Sequence, residues 1–244
     1  MTNLFGEFFG TMILLTFGCG VVANVVLARS RANGGGWIVI TAGWAFAVML
    51  GVFAALATGA PQTDLNPAVT LFKMYAGVYS VPHAIATMGV QLLGGIAGGV
   101  ITWLVYLPHW EITEDKGTKL AVFSTAPIVR KFGPALLCEA LATCFLLIAF
   151  YTIGSKAVQG TTGFPTGFGV YITAMVIWAV GLSLGGPTGY ALNPARDLGP
   201  RIAHAILPIA GKGDSDWSYS WVPVVGPMIG ATLAFVICRA LALV

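Results

Sequence analysis

Charge is what this sequence has least of. Asp, Glu, Lys and Arg make up 9% of its 244 residues, and hydrophobic residues 57%, whereas water-soluble globules charge roughly a quarter of theirs. The few charges cluster and leave long apolar runs between them, which excludes a soluble globule and points to a membrane protein. Basic residues form no patch or stripe. They lie scattered among the connecting segments, so the net charge of +3 says nothing about nucleic acid, and no such partner is expected. Cysteine is sparse too: Cys19, Cys138, Cys144 and Cys238 all fall in apolar runs without metal-ligand spacing. No disulfide, metal site or cofactor is therefore expected. The spans also lack the nucleophile–base pair or metal cluster that an enzyme would need.

What is present is six stretches of membrane-crossing length, approximately Leu4–Ala28, Trp37–Ala57, Pro82–Leu107, Phe132–Ile153, Thr166–Gly185 and Tyr219–Val244. About 20 residues suffice to cross a hydrocarbon core roughly 30 Å thick. The first lacks a basic leader, carries Glu7 near its start and is long for a signal sequence, so it reads as a span. Trp37, Trp103, Trp110, Trp217 and Trp221 sit near span ends, as an aromatic belt would. His83, His109 and His204 have no ligand spacing and read as interfacial or capping residues.

A repeat runs through the chain. Gly6-Glu7-Phe8-Phe9-Gly10-Thr11 opens the first span and Cys138-Glu139-Ala140-Leu141-Ala142-Thr143 the fourth, with Glu and Thr in the same places. Leu65-Asn66-Pro67-Ala68-Val69 follows the second span and Leu192-Asn193-Pro194-Ala195-Arg196 the fifth. Each half thus holds three spans and one Asn-Pro-Ala segment. An odd number of spans inserts the second half upside down, and inverted repeats place a functional site near the bilayer midplane. The expected organisation is one domain over 1–244, with halves at approximately 1–107 and 132–244 joined by a polar, solvated loop at 108–131. Within the third span, the Gly95–Gly99 spacing suits close helix packing and needs no functional reading.

Asn is a strong N-cap and Pro suits the first helical position, so each tripeptide reads as a helix start. The stretches that follow, Ala68–Ala76 and Ala195–Ala205, are too short to cross a bilayer. The fold class predicted is all-α transmembrane: six transmembrane helices plus two re-entrant half-helices in an inverted repeat. Two helix N-termini meeting at mid-membrane each present roughly half a positive charge, a barrier to cations and protons. The carboxamides of Asn66 and Asn193 would meanwhile bond the oxygen of a passing neutral solute. Arg196 follows the second tripeptide directly. An Arg facing lipid costs about 2.5 kcal/mol or more, so it is expected to face a polar pore.

Through these residues the chain resembles the major intrinsic protein family, the aquaporins and glycerol facilitators, over essentially its whole length. The likeness is greatest to bacterial glycerol uptake facilitators across Gly181–Arg201, and Asp197, Arg201 and Pro223-Val224 agree with that subfamily. The resemblance implies a selectivity constriction of Trp44, Gly181, Tyr190 and Arg196. Water-specific members usually carry His where Gly181 stands, and glycine there leaves room for a wider solute. A corner of Trp44 and Tyr190 would accept a carbon backbone while Arg196 binds hydroxyls from the opposite side. Glu7 and Glu139 would anchor the re-entrant loops through their backbone. One departure is the segment Gly59–Asp64, about two residues longer than usual. It places Asp64 where His is common, makes Val48 the alternative to Trp44 as lining residue, and raises the expectation of an acid at the inner mouth that alters or gates passage.

The function implied is a passive channel for glycerol, other small neutral solutes and water that excludes ions and protons, working without a cofactor. It would sit in the lipid bilayer of the cell membrane as a homotetramer. Alternatives are a water-selective channel, or a facilitator for dihydroxyacetone, urea, hydrogen peroxide or undissociated lactic acid. The resemblance places both termini in the cytoplasm. The distribution of basic residues points the other way, since Lys73, Lys156 and Arg239 share the side of the termini while Arg29, Arg31, Arg130 and Lys131 lie opposite.

Overall fold

The computed structural model describes residues 3–244, and among these there are helices and no strand. In chain order the helices are α1 (Asn3–Val26), α2 (Trp37–Ala57), α3 (Pro67–Tyr75), α4 (Val81–Val105), α5 (Leu107–Ile112) and α6 (Lys116–Ala121). They continue with α7 (Phe132–Gly154), α8 (Lys156–Gln159), α9 (Thr166–Leu184), α10 (Pro194–Ile206) and α11 (Val222–Ala240). Six of them, α1, α2, α4, α7, α9 and α11, are long and apolar enough to cross a membrane. Their ends fall within a few residues of the expected spans. The largest shift is at the last, where Tyr219 instead lies in the turn before α11 with its ring against Phe132, and Pro223 occupies the first helical turn.

At nine and thirteen residues, α3 and α10 reach only roughly 14 and 20 Å at 1.5 Å per residue. Both are half-helices. In each half the first span packs on the other two, α1 on α2 and α4, and α7 on α9 and α11. The half-helices cross over: α10 leans mainly on α4 of the first half, and α3 on α11 of the second. The crossing explains the expected Gly95–Gly99 spacing. A Cβ on Gly95 would sit 2.6 Å from the Ala195 carbonyl oxygen, and one on Gly99 3.2 Å from Cα of Pro200. These glycines therefore form the bed of α10, as close backbone approach requires.

The linker differs from the solvated loop expected. It folds into α5 and α6 and buries Trp110, Phe123 and Lys119, with the Trp110 and Phe123 rings stacked at 5.6 Å. Trp110 is thus a core residue and not part of an aromatic belt. Its indole N–H donates to the Trp103 carbonyl at 3.0 Å, which satisfies its polar atom away from water. His204 is likewise fully buried, Nδ1 within 2.8 Å of Ser215 Oγ. His109 behaves as expected of a capping residue, Nδ1 lying 2.9 Å from the Ala28 carbonyl beyond the end of α1.

Candidate functional site

Each Asn-Pro-Ala begins a helix in the way its chemistry dictates. Asn66 Oδ1 accepts from the Ala68 N–H at 2.8 Å; Asn193 Oδ1 accepts from those of Ala195 at 3.0 Å and Arg196 at 3.2 Å. Proline occupies the first position of both helices. The Asn side chains then reach across the repeat. Asn66 Nδ2 donates to the Leu192 carbonyl at 3.0 Å, and Asn193 Nδ2 to the Leu65 carbonyl at 2.8 Å. Each carboxamide is thereby committed except for one N–H, so each offers a passing oxygen a single donor.

The loops leading into α3 and α10 are mirrored in detail. Thr63 and Leu65 have φ of 46° and 51°, Tyr190 and Leu192 of 41° and 55°. Left-handed backbone at non-glycine residues costs about 1–3 kcal/mol each and persists only where surroundings over-determine it. Here two buried carboxylates do so. Glu7 accepts from the N–H groups of Asp64 and Leu65, both at 2.8 Å, and Glu139 from those of Ala191 and Leu192 at 2.9 and 3.0 Å. Gln91 and Thr188 complete the two acids, donating at 2.8 and 2.7 Å. A trans peptide points its C=O opposite to its N–H. With the N–H groups drawn back onto the carboxylates, the carbonyls of Thr63, Asp64, Tyr190 and Ala191 turn the other way.

They turn into a cavity of about 660 Å³. It runs from Gly154 and Thr166, on the side of the termini, past Asn66 and Asn193 to Trp44, Tyr190 and Arg196. Its lining joins apolar side chains, among them Leu14, Val52, Leu146 and Ile177, to the re-entrant loops, the two Asn side chains and Arg196. Trp44 and Val48, one helical turn apart, both line it, so the alternative between them is not exclusive.

The four residues expected at the constriction take unequal places. Arg196 stacks on Trp44, its guanidinium carbon 3.9 Å from the ring centre, and does not face it across a gap as anticipated. A cation over an indole face is attracted by the ring quadrupole. Gly181 is buried and lies outside the cavity lining. A Cβ there would come within 2.9 Å of Tyr190 Cζ and 3.0 Å of Thr41 Cγ2. Its missing side chain accommodates the tyrosine, and only through it the lumen. Trp37 joins this corner, donating to the Gly181 carbonyl at 2.9 Å and meeting Tyr190 edge-on at 5.5 Å.

Two cations beside the half-helices have carboxylate partners, while the buried Lys119 donates to the Ala210 carbonyl. Arg201 pairs with Asp197 at 2.8 Å and Lys73 with Asp64 at 2.5 Å. Among the described residues Arg196 has no such partner, which leaves its charge uncompensated and its donors free. Asp64, expected as an acid facing the inner mouth, instead has a side chain with no exposed surface, bonded to Lys73 and Thr70. Lys73 also donates to the Gln62 carbonyl at 2.7 Å, and so staples the long loop to α3. Asp197 does the same for α10, accepting from the N–H and hydroxyl of Thr125, both at 2.7 Å. Gln91, Thr125 and Lys73, the last counted above only for the orientation of the termini, join the site as supports. Lys73 had a local signal, a lone cation in the last turn of a half-helix with a nearby acid; Gln91 and Thr125 had none.

Comparison with known proteins agrees with this geometry. A family profile described as "Major intrinsic protein" matches residues 1–238. The chain is 49% identical over 234 residues to a probable glycerol uptake facilitator protein of Thermotoga maritima, covering 96% of each. It is 36% identical over 240 residues to a D/L-lactic acid transporter of Lactiplantibacillus plantarum, covering 95% of this chain and 94% of the other. Among solved structures, the aquaglyceroporin from Plasmodium falciparum superposes with a TM-score of 0.81 at 25% identity, over 99% of this chain and 98% of that one.

Proposed function

The chain belongs to the major intrinsic protein family, and from that membership we propose that it is a passive channel for glycerol and other small uncharged solutes, including water. The observation that carries this reading is Arg196, a cation without a carboxylate partner at one end of a cavity that is also lined by the re-entrant loops and the side chains of Asn66 and Asn193. A solute shedding its water there finds acceptors for its hydroxyl hydrogens in the loop carbonyls and apolar side chains for its carbon backbone. Cations meet a like charge there and no carboxylate free to offset it. The N-termini of α3 and α10 add roughly half a positive charge each beside the Asn pair, which raises the barrier to cations and hydrated protons.

In this reading Asn66, Pro67, Ala68, Asn193, Pro194 and Ala195 form the midplane station, and Trp44, Tyr190 and Arg196 the selectivity filter, with Gly181 shaping it from behind. The whole chain acts as one channel unit, its halves near 1–107 and 132–244 joined through 108–131. It sits in the cell membrane with cytoplasmic termini, as a homotetramer with one pore per subunit. Family membership supports that orientation against the distribution of basic residues.

The test is stopped-flow light scattering of proteoliposomes in a glycerol gradient. Accelerated reswelling over empty vesicles, with no proton leak, is the expected result. Fast water flow without glycerol entry would overturn the solute assignment. A second reading, passage of undissociated lactic acid, is favoured by the likeness to the Lactiplantibacillus plantarum transporter. The same vesicles at a pH near the lactic acid pKa discriminate it from glycerol.

A further inference from the structure

We propose that Gly18, a residue outside the cavity lining, is a positioning residue that sets the width of the filter by receiving the Trp44 indole. The inference rests on the channel reading above and adds to it a determinant of selectivity on α1.

Gly18 lies buried on α1, facing α2. A Cβ built on it would lie inside the van der Waals envelope of Cε3, Cζ3 and Cη2 of Trp44, the outer edge of the indole's six-membered ring. The ring is therefore seated in a notch that exists only because residue 18 has no side chain. No hydrogen bond of its own fixes the ring there. Trp44 is 3% exposed, and among the described residues its indole N–H has no hydrogen-bond partner. Packing against α1 and the stacked guanidinium decide where the ring stands. The ring also carries Arg196 at 3.9 Å from its centre, so any shift of the indole is passed to the residue that meets the solute. A buried ring in a close-packed interior moves as a body when a methyl group is forced against it.

Two residues along the same helix, Gly20 provides the contrast. A Cβ there would have no neighbour within 4 Å, so Gly20→Ala adds the same methyl group to α1 without touching the filter.

The experiment compares water and glycerol permeability of proteoliposomes carrying wild type, Gly18→Ala, Gly20→Ala, Trp44→Phe and the double variant Gly18→Ala/Trp44→Phe, each normalised to reconstituted protein. Gly18→Ala is expected to lower the glycerol-to-water permeability ratio about tenfold, the effect of a barrier raised by about 1.4 kcal/mol for the larger solute. Gly20→Ala should match wild type. In the Trp44→Phe background, where the smaller ring leaves the notch empty, Gly18→Ala should change the ratio less than about twofold, an interaction that independent sites do not show. An equal loss in both backgrounds, or no loss in either, overturns the proposal. If Gly18→Ala alone yields no folded protein, recovery of a monodisperse double variant supports the notch, and a double variant that also fails refutes it. A wild type that passes water but no glycerol overturns the solute assignment instead. Gly18 is then judged by the same rescue measured on water flux.

Discussion

Arg196 shows how one side chain is kept available. A buried Arg is normally paired, because an isolated charge in a low-dielectric interior is costly. Here the indole face of Trp44 takes the place of a carboxylate. It attracts the cation by about 0.5–2 kcal/mol without neutralising it, and the cavity supplies the remaining solvation. A carboxylate in the same place would cancel the field that the proposed filter uses against cations. Arg196→Ala is accordingly expected to open the filter and remove that field. Xylitol permeability should rise about tenfold relative to glycerol, a discrimination of the size that one pocket contact supplies, and a proton leak should appear in pH-dye-loaded vesicles. Unchanged selectivity with no leak would exclude Arg196 from the filter. The glutamates show the opposite use of a charged group. Glu7 and Glu139 face away from the lumen and spend their oxygens on backbone N–H groups. Glu139→Gln leaves one acceptor oxygen where two served, and orphans at least one of the N–H groups of Ala191 and Leu192. The expected cost is about 1–3 kcal/mol, read as a lower melting temperature in detergent.

At the scale of the element, the half-helices are held at both ends. Their starts are capped by their own Asn, and their flanks are stapled to a neighbouring loop by an ion pair with a buried acid, Asp64–Lys73 for α3 and Asp197–Arg201 for α10. Lys73→Met strands the Asp64 carboxylate, and breaking such a pair from one side costs about 3–5 kcal/mol. The double variant Lys73→Met/Asp64→Asn should recover most of that loss in a melting-temperature cycle. Equal destabilisation by single and double variants would show that the staple carries no energy. The half-helices themselves were legible in the sequence because an Asn cap and a Pro at the first position act within a few residues. Their staples were not. Thr125 and Asp197 stand 72 positions apart, and no local rule joins them. For the same reason Asp64 read as an acid at the pore mouth: its neighbour Lys73 was visible, but the fold of the loop that buries the pair was not. Trp110 misread as interfacial in a similar way, since sequence places it at a span end while the path of the linker decides what covers it.

For the whole molecule, the exterior reads as apolar as the spans demanded. Phe17, Ile38, Phe46 and Phe53 on α1 and α2, and Leu137, Leu141, Phe145 and Tyr171 on α7 and α9, all point outward and exposed, which suits lipid or neighbouring subunits and not water. Native mass spectrometry of the detergent-released protein is expected to return four copies of the 25.4 kDa chain. A single copy under conditions that preserve glycerol flux would refute the tetramer. Inside, the two halves are held by the reciprocal bonds of Asn66 to Leu192 and of Asn193 to Leu65, spanning 126 and 128 positions. That exchange has a kinetic meaning. Neither loop can swing aside without releasing the other, so this wall has no hinge and no stroke. Throughput then owes nothing to a conformational clock: flux should climb in proportion to the gradient without reaching a plateau, and warming should speed it little more than it thins the liquid on either side.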